Sequence, residues 1–150
     1  MLIDISSGEE GYNFSRLDSI LDFLLQNGLK PHIELGMKPR RLYGSVQTAL
    51  IFERNEDAFP GDEKWKCVLD AMMRHLLHRY GRTEIGTWRM ELWFREDTEK
   101  NWEGMKGYFR LFNITYEVIH RYSEEIQVGG GGFRFLYDIQ NVYAKFLEEW

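Results

Sequence analysis

The apolar residues of this chain switch repeatedly between helical and extended spacing, and that alternation leaves few folds open. From Phe14 they fall at Phe14, Leu17, Ile20, Leu21, Leu24 and Leu25, spacings of three and four that give one apolar helix face. Asn13 or Ser15 can cap its start, Ser15-x-x-Asp18 resembles a capping box, and Gly28 stands where a helix C′ residue would. Residues 29–36, bounded by Pro31 and Gly36, read as a strand. A long connection over 37–61 follows, with Pro39, Gly44, Pro60 and Gly61 but weak periodicity; connections of that length are often functional. Trp65, Val68, Leu69, Met72, Met73, Leu76, Leu77 and Tyr80 then form an unbroken helical stripe that stops at Gly81. Residues 87–93 read as a second strand, with Met90 and Leu92 on one face and Arg89, Glu91 and Trp93 on the other. After a loop over 94–101, a third stripe runs through Met105, Tyr108, Phe109, Phe112, Tyr116, Ile119 and Tyr122. Ile126-Gln127-Val128 is a short third strand ending in Gly129 to Gly132, and Leu136, Ile139, Tyr143, Phe146, Leu147 and Trp150 mark a fourth helix.

The order α-β-α-β-α-β-α predicts an α/β fold with parallel strands and right-handed helical crossovers. At 150 residues the chain reads as a single domain, 1–150, and can bury roughly 68–70% of its unfolded surface. The aromatic content of 15% argues against disorder. With 19 basic and 24 acidic residues there is no cationic excess to neutralise phosphates, so nucleic-acid binding by this chain itself is not expected. One cysteine, Cys67, excludes an internal disulfide and fits a reducing compartment. No apolar run approaches the ~18 residues of a membrane span, and the first residues, Met1-Leu2-Ile3-Asp4-Ile5, show no signal-peptide pattern. The expectation is cytoplasmic. A polar, hairpin-like segment over 6–11 opens the chain, and a helix stripe runs to its last residue. Three parallel strands leave two sheet edges, so the chain reads as a piece of something larger.

Several side chains could carry chemistry. Glu34, Glu91 and the Glu96-Asp97 pair lie at or beyond predicted strand ends, where parallel α/β folds place their sites; paired carboxylates there could do acid/base work, or be solvated strand-end charge. The run Gly129 to Gly132 lacks the endings of a phosphate-binding loop and reads as a tight turn needing positive φ. His75 and His78 are three apart, but no third ligand stands at metal-binding spacing, and a helix surface suits both. Cys67 reads as a semi-buried small residue beside the second stripe. Trp88, Trp93, Phe94 and Trp102 could stack on a sugar, with Arg89, Arg95 and Glu91 nearby; a core role for Trp88 and Trp102 competes.

Taken together the segments are familiar. Asn13-Phe14 through Leu25, followed by Gly28-Leu29-Lys30-Pro31-His32-Ile33-Glu34-Leu35-Gly36, resembles the third-strand region of glycoside hydrolase family 39, the β-xylosidases. Trp65 to His78-Arg79-Tyr80-Gly81 is similar to that family's next helix, Met90-Glu91-Leu92-Trp93 to its fourth strand, and Gln127-Val128-Gly129-Gly130 to its fifth. The resemblance implies a partial (β/α)8 TIM barrel with three to four parallel strands and four main helices. It also exposes a departure. The family's Trp-Asn-Glu-Pro, whose Glu is the general acid/base, reads here Trp93-Phe94-Arg95-Glu96. Arg95 takes the acid/base place, and a guanidinium does not exchange protons near neutral pH. A shift by one residue brings Glu96 into the role but breaks the rest of the motif. The family's nucleophile Glu lies on its seventh strand, and retaining hydrolysis needs two carboxylates about 5–5.5 Å apart.

The expectation from these residues is a protein that is not an enzyme, with no catalytic residue, metal or cofactor. Degenerate barrels of this kind are also attached to AraC-type transcriptional regulators. The resemblance therefore implies a ligand-sensing or interaction domain of a sugar-responsive regulator that touches DNA only through a domain outside this chain. Its ligand would be a carbohydrate or phosphosugar, held by Glu34, Met37, Lys38, Trp93, Phe94, Arg95 and Glu96. Open sheet edges predict self-association. The alternatives are a segment of an active β-xylosidase-like glycoside hydrolase using Glu96, and a structural dimerisation module.

Overall fold

A computed structural model describes residues 4–5, 11–36, 62–92, 102–130 and 148. Strands β1 (Asp4–Ile5) and β2 (Tyr12–Asn13) pair antiparallel on either side of the segment read as hairpin-like. Helix α1 (Ser15–Gln26) leads to β3 (His32–Leu35). Helix α2 (Asp62–Tyr80) runs into the short α3 (Arg82–Ile85), then β4 (Arg89–Leu92), α4 (Trp102–Tyr122) and β5 (Gln127–Gly130). The strands β3, β4 and β5 form one sheet in that order, parallel throughout. Neighbours in space are neighbours along the chain, which is the order of a barrel arc; a doubly wound sheet reverses its order midway. The predicted fourth helix lies outside the described residues except for Glu148, which is helical.

The core sits on one side of the sheet. Ile33, Leu35, Met90 and Leu92 are buried and pack in one cluster with Trp65, Leu69, Met72, Met73 and Leu76 of α2 and Tyr108, Leu111, Ile114, Val118 and Ile119 of α4. The α2 and α4 stripes thus meet each other as well as the sheet. Across that contact the buried Trp65 Nε1 donates to Thr115 Oγ1 at 2.8 Å, and the Thr115 hydroxyl donates on to the Leu111 carbonyl at 2.7 Å. The Tyr122 hydroxyl donates to Asp70, which also pairs with Arg74. These bonds matter because a buried indole N–H left without a partner costs about 1–3 kcal/mol.

Local details differ from the sequence reading. Asn13 Oδ1 accepts from the Ser15 backbone N–H at 2.9 Å. Asp18, expected to close a capping box, turns to α2 instead. Its Oδ1 lies 2.7 Å from His75 Nε2, and Phe14 stacks on that imidazole with centroids 4.4 Å apart. His75 is therefore part of the α1–α2 contact, whereas His78 is exposed. Arg79 Nη2 donates to Asp22 Oδ2 at 2.6 Å, and the Tyr80 hydroxyl donates to Asp22 Oδ1 at 2.9 Å. Gly28 ends α1 as predicted, at φ 71°, with Leu29 N–H donating to the Leu24 carbonyl at 2.9 Å. Cys67 is exposed, not semi-buried, because it falls on the outer side of the α2 stripe. No helix among the described residues is long and apolar enough to cross a membrane.

Two measurements follow from this packing. Met73→Ala empties a fully buried site between α2 and the sheet and is expected to cost about 2–5 kcal/mol in urea unfolding. The second concerns acid. Hydrogen bonds from Arg79 and Tyr80 hold the Asp22 carboxyl below its ordinary value; Tyr122 does the same for Asp70, and Lys30 with Trp88 for Glu84. The folded protein binds these protons more weakly than the unfolded chain, so stability is complete above the carboxylate range and is lost as pH falls. The Tm is expected to hold between pH 7 and about 5 and to drop below about 4, with a shallower drop in Asp22→Asn.

Candidate functional site

Alternation along parallel strands sends every second residue away from the core. On β3 these are His32 and Glu34, on β4 Arg89 and Glu91, and on β5 Gln127 and Gly129. The register aligns them in two rows, His32–Arg89–Gln127 and Glu34–Glu91–Gly129. Parallel sheets covered on both faces carry apolar residues on both. This one carries charge on the second face, and that makes it the candidate site.

Its geometry follows from the register. Glu34 and Glu91 stand side by side on adjacent strands, about 4.8 Å apart in the backbone. Glu91 also reaches back along the face, where its Oε2 lies 3.3 Å from His32 Nε2. Beside Glu91 the row ends in Gly129, where a Cβ would meet nothing within 4 Å. The face is therefore a strip of carboxylate acceptors with open space next to Glu91. Such a surface can accept hydrogen bonds from the hydroxyls of a polyol. Both carboxylates are one residue short of their strand ends, on the side where parallel α/β folds build their sites.

Of the residues predicted for the site, Glu34 is exposed on this face. Met37, Lys38, Trp93, Phe94, Arg95 and Glu96 lie outside the described residues. Met37 and Lys38 follow Gly36 at the end of β3, and Trp93 to Glu96 follow Leu92 at the end of β4. His32 and Gln127 were not singled out from sequence, although alternation with Ile33 and Val128 marks both as facing away from the core. Trp88 is fully buried and its Nε1 donates to Glu84 Oε1 at 3.0 Å, so it offers no face for stacking a sugar. Gly129 and Gly130 belong to β5, not to a turn, and neither has a positive φ. The expected strand-to-helix turn is thus corrected for these two glycines. Among the described residues no group of three His, Cys, Asp or Glu side chains is placed to hold a metal.

Comparison with known proteins gives this face a context. Residues 3–149 match the family model for glycosyl hydrolases family 39. A β-xylosidase of Caldicellulosiruptor saccharolyticus is 35% identical over 122 residues, which cover 79% of this chain and 25% of that protein. A β-xylosidase of Geobacillus stearothermophilus is 31% identical over 121 residues, covering 79% and 24%. The crystal structure of a monomeric β-xylosidase from Caulobacter crescentus CB15 superposes with a TM-score of 0.73 at 28% identity, over 98% of this chain and 30% of that one. This chain spans about a quarter of the length of the curated relatives it matches.

These matches overturn the expectation of a protein that is not an enzyme. That expectation rested on Arg95 at the acid/base place of Trp93-Phe94-Arg95-Glu96 and on the family's seventh-strand nucleophile not being among these residues, whereas the likeness to glycosidases runs along most of the chain. Arg95 cannot transfer a proton at neutral pH, but Glu96 beside it can.

The Glu34–Glu91 row carries its own prediction. Like charges directly opposite on neighbouring strands are destabilising by a fraction of a kcal/mol. Glu34→Gln is expected to raise stability by up to about 0.5 kcal/mol at low salt. The gain should shrink in ~1 M salt, where exposed charges are screened; melts at both ionic strengths check it.

Proposed function

The chain belongs to family 39 of the glycosyl hydrolases, and we propose that it is a segment of an active β-xylosidase-like enzyme. The observation that carries the proposal is its likeness to β-xylosidases over four-fifths of its length. In this reading β3, β4 and β5 form an arc of a (β/α)8 barrel, and their polar face lines the substrate side. Glu96, one residue along the sequence from the family's acid/base place, is the general acid/base. A second carboxylate comes from the remainder of the barrel.

The chemistry is hydrolysis of a glycosidic bond. The Glu96 carboxyl gives its proton to the leaving-group oxygen as the bond from that oxygen to the sugar's anomeric carbon breaks, and the second carboxylate takes the anomeric carbon. Water then attacks that carbon, losing a proton to Glu96, and the sugar leaves the second carboxylate with a new hydroxyl. Glu34 and Glu91 accept hydrogen bonds from sugar hydroxyls. Phe94, where the family has Asn, offers an aromatic face in place of an amide.

A sensing domain of an AraC-type regulator would use the same scaffold to hold a sugar. That reading draws on Phe94 and Arg95 alone, while the relatives matched across the chain are glycosidases, so the enzyme reading is preferred.

The test is made on the full-length protein. Glu96→Gln should lower turnover of a chromogenic β-xyloside by at least about 100-fold with the Tm unchanged. A full-length wild type that turns over no β-xyloside would sink the proposal.

A further inference from the structure

The helices keep the order of the strands they cover. On α2, His75 and Arg79 meet α1, and Asp70, on the opposite side of the helix, meets Tyr122 of α4. The layer therefore runs α1, α2, α4 beside a sheet ordered β3, β4, β5, with α1 at the end of the one and β3 at the end of the other. Helix α1 has three faces at about 100° per residue. Leu17 and Leu21 point into the core. Asp18 and Asp22, to one side of that line, reach His75, Arg79 and Tyr80 of α2. Ile20 and Phe23 project to the other side, and both are exposed, Phe23 at 63%. Three apart, they are neighbours on the helix surface, so the flank of α1 away from α2 is apolar.

The sheet is open at the same end. Arg89 N–H donates to the Pro31 carbonyl at 3.2 Å, and successive residues of a strand turn their backbone groups to alternate sides. Ile33 and Leu35 therefore face β4 with their N–H and C=O groups, and His32 and Glu34 face the other way, where no strand stands among the described residues. Such edge groups are a template for a further strand. We infer that this end is a docking surface for one strand-and-helix unit of the full-length protein. Its strand adds in parallel to β3, pairing with the backbone of His32 and Glu34, and the apolar face of its helix covers Ile20 and Phe23. That docking rests on the reading of β3 to β5 as a barrel arc, since a closed barrel leaves no strand with a free edge. The unit belongs to the same polypeptide. This chain superposes on 30% of a β-xylosidase that is itself monomeric, which favours the remainder of one chain over a second copy as the occupant.

The test is made on the full-length protein with two readouts. In the wild type, hydrogen exchange resolved to single residues should find the His32 and Glu34 amide protons exchanging at least about 100-fold more slowly than in an unfolded chain. In the second, p-benzoylphenylalanine replaces Phe23 and is photolysed. The product should keep the mass of one polypeptide, and the peptide joined to position 23 should come from outside residues 1–150. Fast exchange at His32 and Glu34 overturns the inference, and so does the absence of a cross-link or one to a peptide within 1–150. A product with the mass of two polypeptides makes the occupant a second copy or another protein and overturns it as well. If the photoprobe prevents folding, wild-type exchange decides alone. Neither readout uses catalysis, so a protein inactive on β-xylosides overturns the enzyme reading and leaves the docking standing, while fast edge exchange in an active enzyme does the reverse.

Discussion

Ile33, Leu35, Met90 and Leu92 all turn to the side of the sheet where α2 and α4 lie, and everything else in the structure follows from that one-sidedness. Two parallel pairs joined by helical crossovers place their helices on the same side. The strands then have one face on which to bury carbon and one that the helices cannot reach. On the covered face, α2 and α4 share the work with each other, through Trp65 and Thr115 as well as through aliphatic packing. On the other face nothing apolar is required, and His32, Glu34, Arg89, Glu91 and Gln127 occupy it. A charged strip on a parallel sheet is therefore the complement of how the core is built, and it delivers polar side chains in register to the ends of three strands.

Periodicity reached as far as patterns that repeat. The stripe from Trp65 to Leu76 is buried where spacing put it, and Met90 and Leu92 are core while Arg89 and Glu91 are not. A four-residue helix has no period to read, so α3, tucked between Gly81 at φ 79° and the turn at Gly86, was not visible. The α1 stripe was read too wide. Ile20 is 44% exposed, because Leu17 and Leu21, one turn apart, face the core, with Phe14 and Leu25 partly buried against it. The exchange of Asp18 from a cap to a partner of His75 depends on residues 57 apart, and local spacing carries no sign of it.

The candidate site was legible in part for the same reason. Strand ends and their carboxylates, Glu34 and Glu91, stand out in any parallel α/β reading. Their neighbour relation is set by register, which the sequence of one strand does not contain. The glycines after Val128 show the limit most clearly. A glycine can answer a backbone angle or a neighbour's bulk, and the letter alone does not distinguish them. Here Gly130 answers the Tyr108 hydroxyl from 22 positions back. Trp93 to Glu96 depart from the family's pattern, while the likeness to its members runs along most of the chain.

The attachment of α1 has a different character from the α2–α4 contact. Two leucines, one stacked imidazole and the pairs joining Asp18 and Asp22 to His75, Arg79 and Tyr80 hold it in place. Exposed ion pairs contribute little each, while buried side chains hold α2 and α4. The molecule is therefore graded in cohesion: α1 gives the shared core two buried side chains where α2 and α4 each give five or more, and local opening is expected to begin at α1. Amide protons of α1 would then exchange by local excursions, and those of α2 and β4 only when the whole structure lets go.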